Sequence, residues 1–210
     1  MKVTKHPQEN ILKYKLLIII GSLCIFACTN NKTAKSHNTI TILNDSISSW
    51  VSMAKNKNIT TKERVTYLQK AYTANKKTLT DSIKVKNLSS ISLRYYSLND
   101  SLNFRKTNKE TIALSRSFND SITLANSYWD LASFFNKETI MDSAFFYYQK
   151  ASKTFLLRKE NKLAARMLLA MANIQEDVKD NTGAEINCIK AIEIFKPLED
   201  YKYLSRCYTT

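Results

Sequence analysis

A helix-start signal returns along this chain at nearly constant spacing, and that rhythm restricts the fold more than any other feature. Asp-Ser followed by an apolar or small residue occurs at Asp45-Ser46-Ile47, Asp81-Ser82-Ile83, Asp100-Ser101-Leu102, Asp120-Ser121-Ile122 and Asp142-Ser143-Ala144. After one long gap, from Asp45 to Asp81, the signal recurs at closely similar intervals. An Asp at such a place accepts hydrogen bonds from the first amides of a helix, which have no partner within it. Thr60-Thr61-Lys62-Glu63 fills the long gap as a capping box, with Thr60 as cap and Glu63 at the third helical position. Asn161 and Asn181 keep the beat further on. Eight helix starts result, and a ninth helix opens with Tyr201, Tyr203, Leu204 and Cys207. The rhythm predicts an all-α chain.

Composition agrees. Two glycines and two prolines in 210 residues leave few helix breakers, and 44% apolar residues are ample for a core. The formal charge of +14 is spread along the chain without a run of five basic residues. Together with the lack of any nucleic-acid-binding motif, this reads as a solvated basic surface, and no nucleic-acid partner is expected.

The segment 1–27 reads as an export signal. Lys2, Lys5, Lys13 and Lys15 precede an apolar stretch from Leu16 to Ala27, too short for a comfortable membrane span. It ends Ile25-Phe26-Ala27-Cys28, which resembles a bacterial lipobox. The resemblance implies cleavage before Cys28, lipidation of that residue, and attachment to a membrane in the bacterial cell envelope. The alternatives are an ordinary secretory signal, or an uncleaved anchor extended by Ile11 and Leu12. Residues 28–44, rich in Asn, Lys, Thr and Ser, read as a flexible tether before a helical domain over 45–210. Cys188 and Cys207 are too few for a disulfide framework and are expected to be small core residues.

The chain also repeats itself at a longer interval. Tyr128, Leu131, Ala132, Phe135, Ala144, Tyr148 and Ala151 shift onto Leu168, Met171, Ala172, Gln175, Ala184, Cys188 and Ala191. Small residues recur at Ala132/Ala172, Ala144/Ala184 and Ala151/Ala191, where they let two helices approach closely. This pattern resembles the tetratricopeptide repeat (TPR). The first unit fits all seven characteristic places, and the second departs at Gln175 and Cys188. The turn Asn181-Thr182-Gly183 and Pro197 stand near where the family has a turn and a proline. The period exceeds the usual length of about 34, and the surplus falls around Arg158 to Lys162, implying longer second helices or longer joints. Earlier units are degraded, with Lys106 and Glu110 where apolar residues are expected. The resemblance implies an α-solenoid of antiparallel helix hairpins in a right-handed superhelix, about four hairpins plus the start of a fifth. An unpartnered final helix is costly in such a stack, so the chain is expected to continue beyond Thr210.

Reactive chemistry finds no footing in the sequence. The only histidine after the signal is His37, and the only glycines are Gly21 and Gly183. No catalytic residue, metal site or cofactor is expected.

In the resembled family, ligands lie in a groove lined by first helices. The matching places are Asn126, Trp129, Ser133 and Asn136, then Arg166, Leu169, Asn173 and Glu176. Asn amides suit an extended peptide backbone, the Arg166 fork suits a carboxylate, and Trp129 is an aromatic anchor or packs against the next hairpin. The expectation is a non-enzymatic, lipid-anchored adaptor for proteins or peptides. The second expectation is the sensory region of a bacterial signalling protein, as in Bacteroidetes regulators where TPR arrays precede a kinase or helix-turn-helix output.

Overall fold

The computed structural model describes residues 41–210; the signal segment, Cys28 and most of the tether lie outside them. Residues 46–210 form one compact unit. Among the described residues there is no strand. The helices are α1 over 41–53, α2 Thr61–Lys77, α3 Ser82–Ser97, α4 Ser101–Ser117, α5 Ser121–Lys137, α6 Met141–Leu157, α7 Asn161–Asp177, α8 Asn181–Phe195 and α9 Tyr201–Thr209. No described helix is long and apolar enough to cross a membrane.

The rhythm is set by the joints. From α4 to α7 every helix has 17 residues, and three residues join each to the next. From the α3/α4 joint onward, the residue just before each N-cap is left-handed: Asn99, Asn119, Thr139, Lys159, Lys179 and Glu199 all have φ between 51° and 66°. The Asn99 N–H donates to the Tyr96 carbonyl and the Asp100 N–H to the Tyr95 carbonyl. The same two bonds recur at the next five joints, down to Glu199 N–H on Lys196 and Asp200 N–H on Phe195. This is the Schellman closure of a helix C-terminus. Its last residue is simultaneously the N-cap of the following helix, so helix and joint together repeat without drift.

The caps are therefore partly as expected and partly displaced. Thr60 and Glu63 form the capping box, and Asp81, Asp100 and Asp120 each accept from the amide three residues on. Asp45 instead lies within α1, which is already helical at residue 41. Asp142 is the second residue of α6, and Ile140 holds the cap place without a side-chain bond. Asn161 and Asn181 are the first residues of α7 and α8, behind Glu160 and Asp180. The Asp180 carboxylate accepts from the Gly183 N–H at 3.0 Å, so Asn181-Thr182-Gly183 is a first helical turn rather than a bend before one. The joint at Arg158-Lys159-Glu160 is no longer than the others, which puts the surplus over the usual repeat into the helices.

Packing follows the hairpins α3/α4, α5/α6 and α7/α8. Tyr128, Ala132, Ala144, Tyr148 and Ala151 enter one core with Phe155 and Met167. Ala132, Ala144 and Ala151 are wholly buried, which is how the backbones of α5 and α6 come close. Ala172, Ala184, Cys188 and Ala191 form the next core with Phe195 and Cys207. Both cysteines are buried free thiols there. Gln175, where the pattern expects an aromatic ring, makes a polar substitute: it donates to Asp180 at 2.7 Å and accepts from Asn187 at 2.6 Å. Lys106 and Glu110 have a partner too. The Tyr72 hydroxyl donates to Glu110 at 2.6 Å, and the Lys106 ammonium lies 5.3 Å from the centre of the same ring.

Candidate functional site

The first helices α5, α7 and α9 share a cleft of about 250 Å³. Helical spacing explains its walls. Trp129, Ser133 and Asn136 stand four and three places apart on α5; Arg166, Leu169 and Asn173 stand three and four apart on α7. Each set therefore faces one way. Trp129, Asn136, Arg166, Leu169 and Asn173 all line the cleft, joined by Tyr148, Tyr203 and Arg206.

Trp129 is held from two sides, by α6 of its own hairpin and by α7 of the next. One edge packs on Phe155 with ring centroids 6.4 Å apart, and its face carries the Arg166 guanidinium at 4.4 Å. That guanidinium also lies 5.4 Å from the Tyr203 ring, which stacks on Phe195 at 5.0 Å. Arg206 sits on Tyr203 as well, at 5.8 Å. Stacking uses the faces of a guanidinium and leaves its in-plane donors free. Neither guanidinium forms an ion pair among the described residues, and no carboxylate lines the cleft. The arrangement is a pair of rigidly seated cations with donor edges open to an anion.

The remaining nominated residues divide. The Asn173 side-chain Oδ1 accepts from the Thr210 hydroxyl at 3.2 Å. Asn136 is exposed, and its amide is open to a ligand backbone. Ser133 is turned to the Tyr148 hydroxyl at 3.3 Å and, like the half-buried Asn126, does not line the cleft. Leu169 is buried and serves as floor rather than contact. Glu176 is exposed near the end of α7, outside the cleft.

Sequence reasoning missed Tyr148, Tyr203 and Arg206 as wall residues. A signal for Arg206 existed: Asn126, Arg166 and Arg206 are evenly spaced at the long repeat and occupy one place in successive units. Asp130 was also missed. Burial pushes its carboxyl up to about 7 against the opposing pull of Arg94. Burial raises the phenols of Tyr148 and, with help from Tyr148 and Asp130, of Tyr96. Among the described residues no group of acids, histidines and thiols could hold a metal ion.

No protein-family model and no curated protein matches the chain. Among solved structures, it is similar to aspartyl phosphate phosphatase F from Bacillus subtilis, with a TM-score of 0.66 at 12% identity. The match covers 81% of this chain but only 44% of that one, so the chain spans less than half the length of its structural neighbour. At that identity the likeness is one of fold, and with the stacked hairpins it makes the chain a TPR-like α-solenoid.

Proposed function

We propose that the chain is a non-enzymatic scaffold that holds an extended segment of a partner protein in the α5/α7/α9 cleft. The observation that carries this reading is the convergence of Trp129, Asn136, Arg166, Asn173 and Arg206 around one cleft without an acid. Asn136 and Asn173 can donate to and accept from a peptide backbone, while the two guanidinium forks take a carboxylate. Trp129 supplies rigid apolar contact, at the kind of buried aromatic that dominates binding energy. Pull-down from the cell envelope tests it: Trp129→Ala combined with Arg166→Ala abolishes recovery of the wild-type partners. An unchanged set of partners sinks the cleft.

The scaffold works at a membrane surface, exported and lipid-anchored through Cys28. The supporting observations are the basic start, the short apolar stretch and Ile25-Phe26-Ala27-Cys28. Cys28→Ala is expected to move the protein from the membrane pellet to the soluble envelope fraction, and continued pelleting refutes the anchor.

A further inference from the structure

The second helices α2, α4, α6 and α8 offer an internal comparison, because equivalent positions recur along them at the long repeat interval. Between α2 and α4 the gap is bridged by the 2.6 Å hydrogen bond from Tyr72 to Glu110. One repeat later these two places hold Ile112 and Lys150, which cannot make that bond. A cleft of about 350 Å³ opens there, between α4 and α6 and over α5. A repeat further on, the same places are Ser152 and Lys190, lining a cleft of about 480 Å³ between α6 and α8.

Only the middle cleft is strongly charged. Arg105, Lys109 and Arg116 line it from α4 and Lys150 from α6, with no carboxylate among the lining residues. At the third cleft the places of Lys109 and Arg116 are taken by Gln149 and Leu156. Arg105 and Lys109 make no ion pair or hydrogen bond with a described residue. Arg116 donates to the Tyr128 hydroxyl at 2.8 Å, and the Lys150 ammonium lies 4.3 Å from the Phe146 ring centre. Phe135 and Tyr147 stack at 5.6 Å below them. Like charges gathered without counter-charge repel one another, and an incoming anion relieves that repulsion.

We propose that the α4/α6 cleft is a docking site for an acidic segment of a protein partner, independent of the first-helix cleft. Arg105, Lys109 and Arg116 run down one stripe of α4 over about 16 Å, at about 1.5 Å per residue. A single small anion meets only part of that row, whereas an extended peptide spans it with about five residues. The aromatic floor receives the apolar side chains that alternate with the acids. A bilayer, being broad, engages cations that project from a surface rather than cations that flank a recess.

The probe is a fluorescent peptide of about ten residues, long enough to overrun that row, alternating Asp or Glu with Leu or Phe. Its binding to the full chain is followed by anisotropy. Lys109→Glu with Lys150→Glu is expected to weaken binding about tenfold or more, as loss of close charge pairs does. Lys55→Glu with Lys57→Glu makes the same change in net charge elsewhere and is expected to alter it less than about twofold, a screened long-range effect. The Asn/Gln version of the peptide is expected not to bind. Trp129→Ala with Arg166→Ala, which removes a cation and an aromatic contact from the first-helix cleft, is expected to weaken binding no more than the control pair does, which separates this site from that cleft. The proposal is overturned if wild type ignores the acidic peptide, if the control pair weakens binding equally, or if the amide peptide binds as well. It is also overturned if inorganic phosphate, phosphatidylglycerol vesicles or a single-stranded oligonucleotide lose affinity to the cleft pair while the peptide does not.

Discussion

Left-handed backbone at a residue bearing a Cβ costs about 1–2 kcal/mol, and six successive joints of this chain carry that cost. Asn99 and Asn119 bear it lightly, since their short polar side chains tolerate the region. Thr139 does not, because it is β-branched and sits at φ 58°. Its hydroxyl only reaches the adjacent Glu138 carbonyl, at 2.7 Å. Thr139→Gly is therefore expected to stabilise the protein by about 1 kcal/mol, read as a higher urea midpoint. Asn119→Gly serves as comparison and is expected to gain less; equal gains, or none at Thr139, refute the strain. Legibility follows the same chemistry. Asp100 and Asp120 announce their joints because a cap carboxylate and a left-handed Asn are adjacent in sequence. Ile140 and Glu160 cap by backbone geometry alone, which leaves no residue-type signal, so the neighbouring Asp142 and Asn161 drew the reading instead.

At the scale of the element, α4 shows why the earlier repeats look degraded. Its inward side is Phe104, Thr107, Asn108, Thr111 and Ser115, all buried. The Thr107 hydroxyl donates to the Asn103 carbonyl at 2.7 Å, and that of Thr111 to Thr107 at 2.8 Å. With the hydroxyls satisfied within the helix, these side chains pack as small apolar groups. They do the work of the alanines of α6 and α8 without looking apolar in sequence. Ser115 is the exception among the hydroxyls, wholly buried with an oxygen that has no partner, as is true also of the side-chain oxygen of Asn108. A buried unsatisfied hydroxyl costs about 1–3 kcal/mol, so Ser115→Ala is expected to raise the thermal midpoint. Thr111→Ala, losing a packed methyl and a satisfied bond, is expected to lower it. A fall on Ser115→Ala in circular dichroism melting contradicts the assignment.

Over the whole molecule, the regular beat and the seven-place match make the stack of hairpins readable, because caps and small residues are local features. The candidate cleft is only half readable, because it depends on which units meet. Trp129 and Arg166 follow from position, but Arg206 joins them only once α9 has folded against α7 and α8. Asp130 belongs to the same category, since its environment comes from another hairpin: burial pushes its titration up to about 7 while Arg94 on α3 pulls it down. The unfolded chain releases this proton near the ordinary value of 3.8, and the folded chain holds it to about 7. Between those limits the folded state binds more protons, so stability falls as pH rises through the window and the loss is complete above it. Asp130→Asn removes the titration and keeps the shape. The variant is expected to match wild type near pH 4 and to exceed it by on the order of 2 kcal/mol at pH 8, water screening the remainder of a half-buried charge. Chemical denaturation at the two pH values measures the difference. A variant whose advantage is the same at both places the carboxyl in ordinary solvent, and one less stable at pH 8 shows instead that Arg94 holds Asp130 ionised in an ion pair that links α3 to α5.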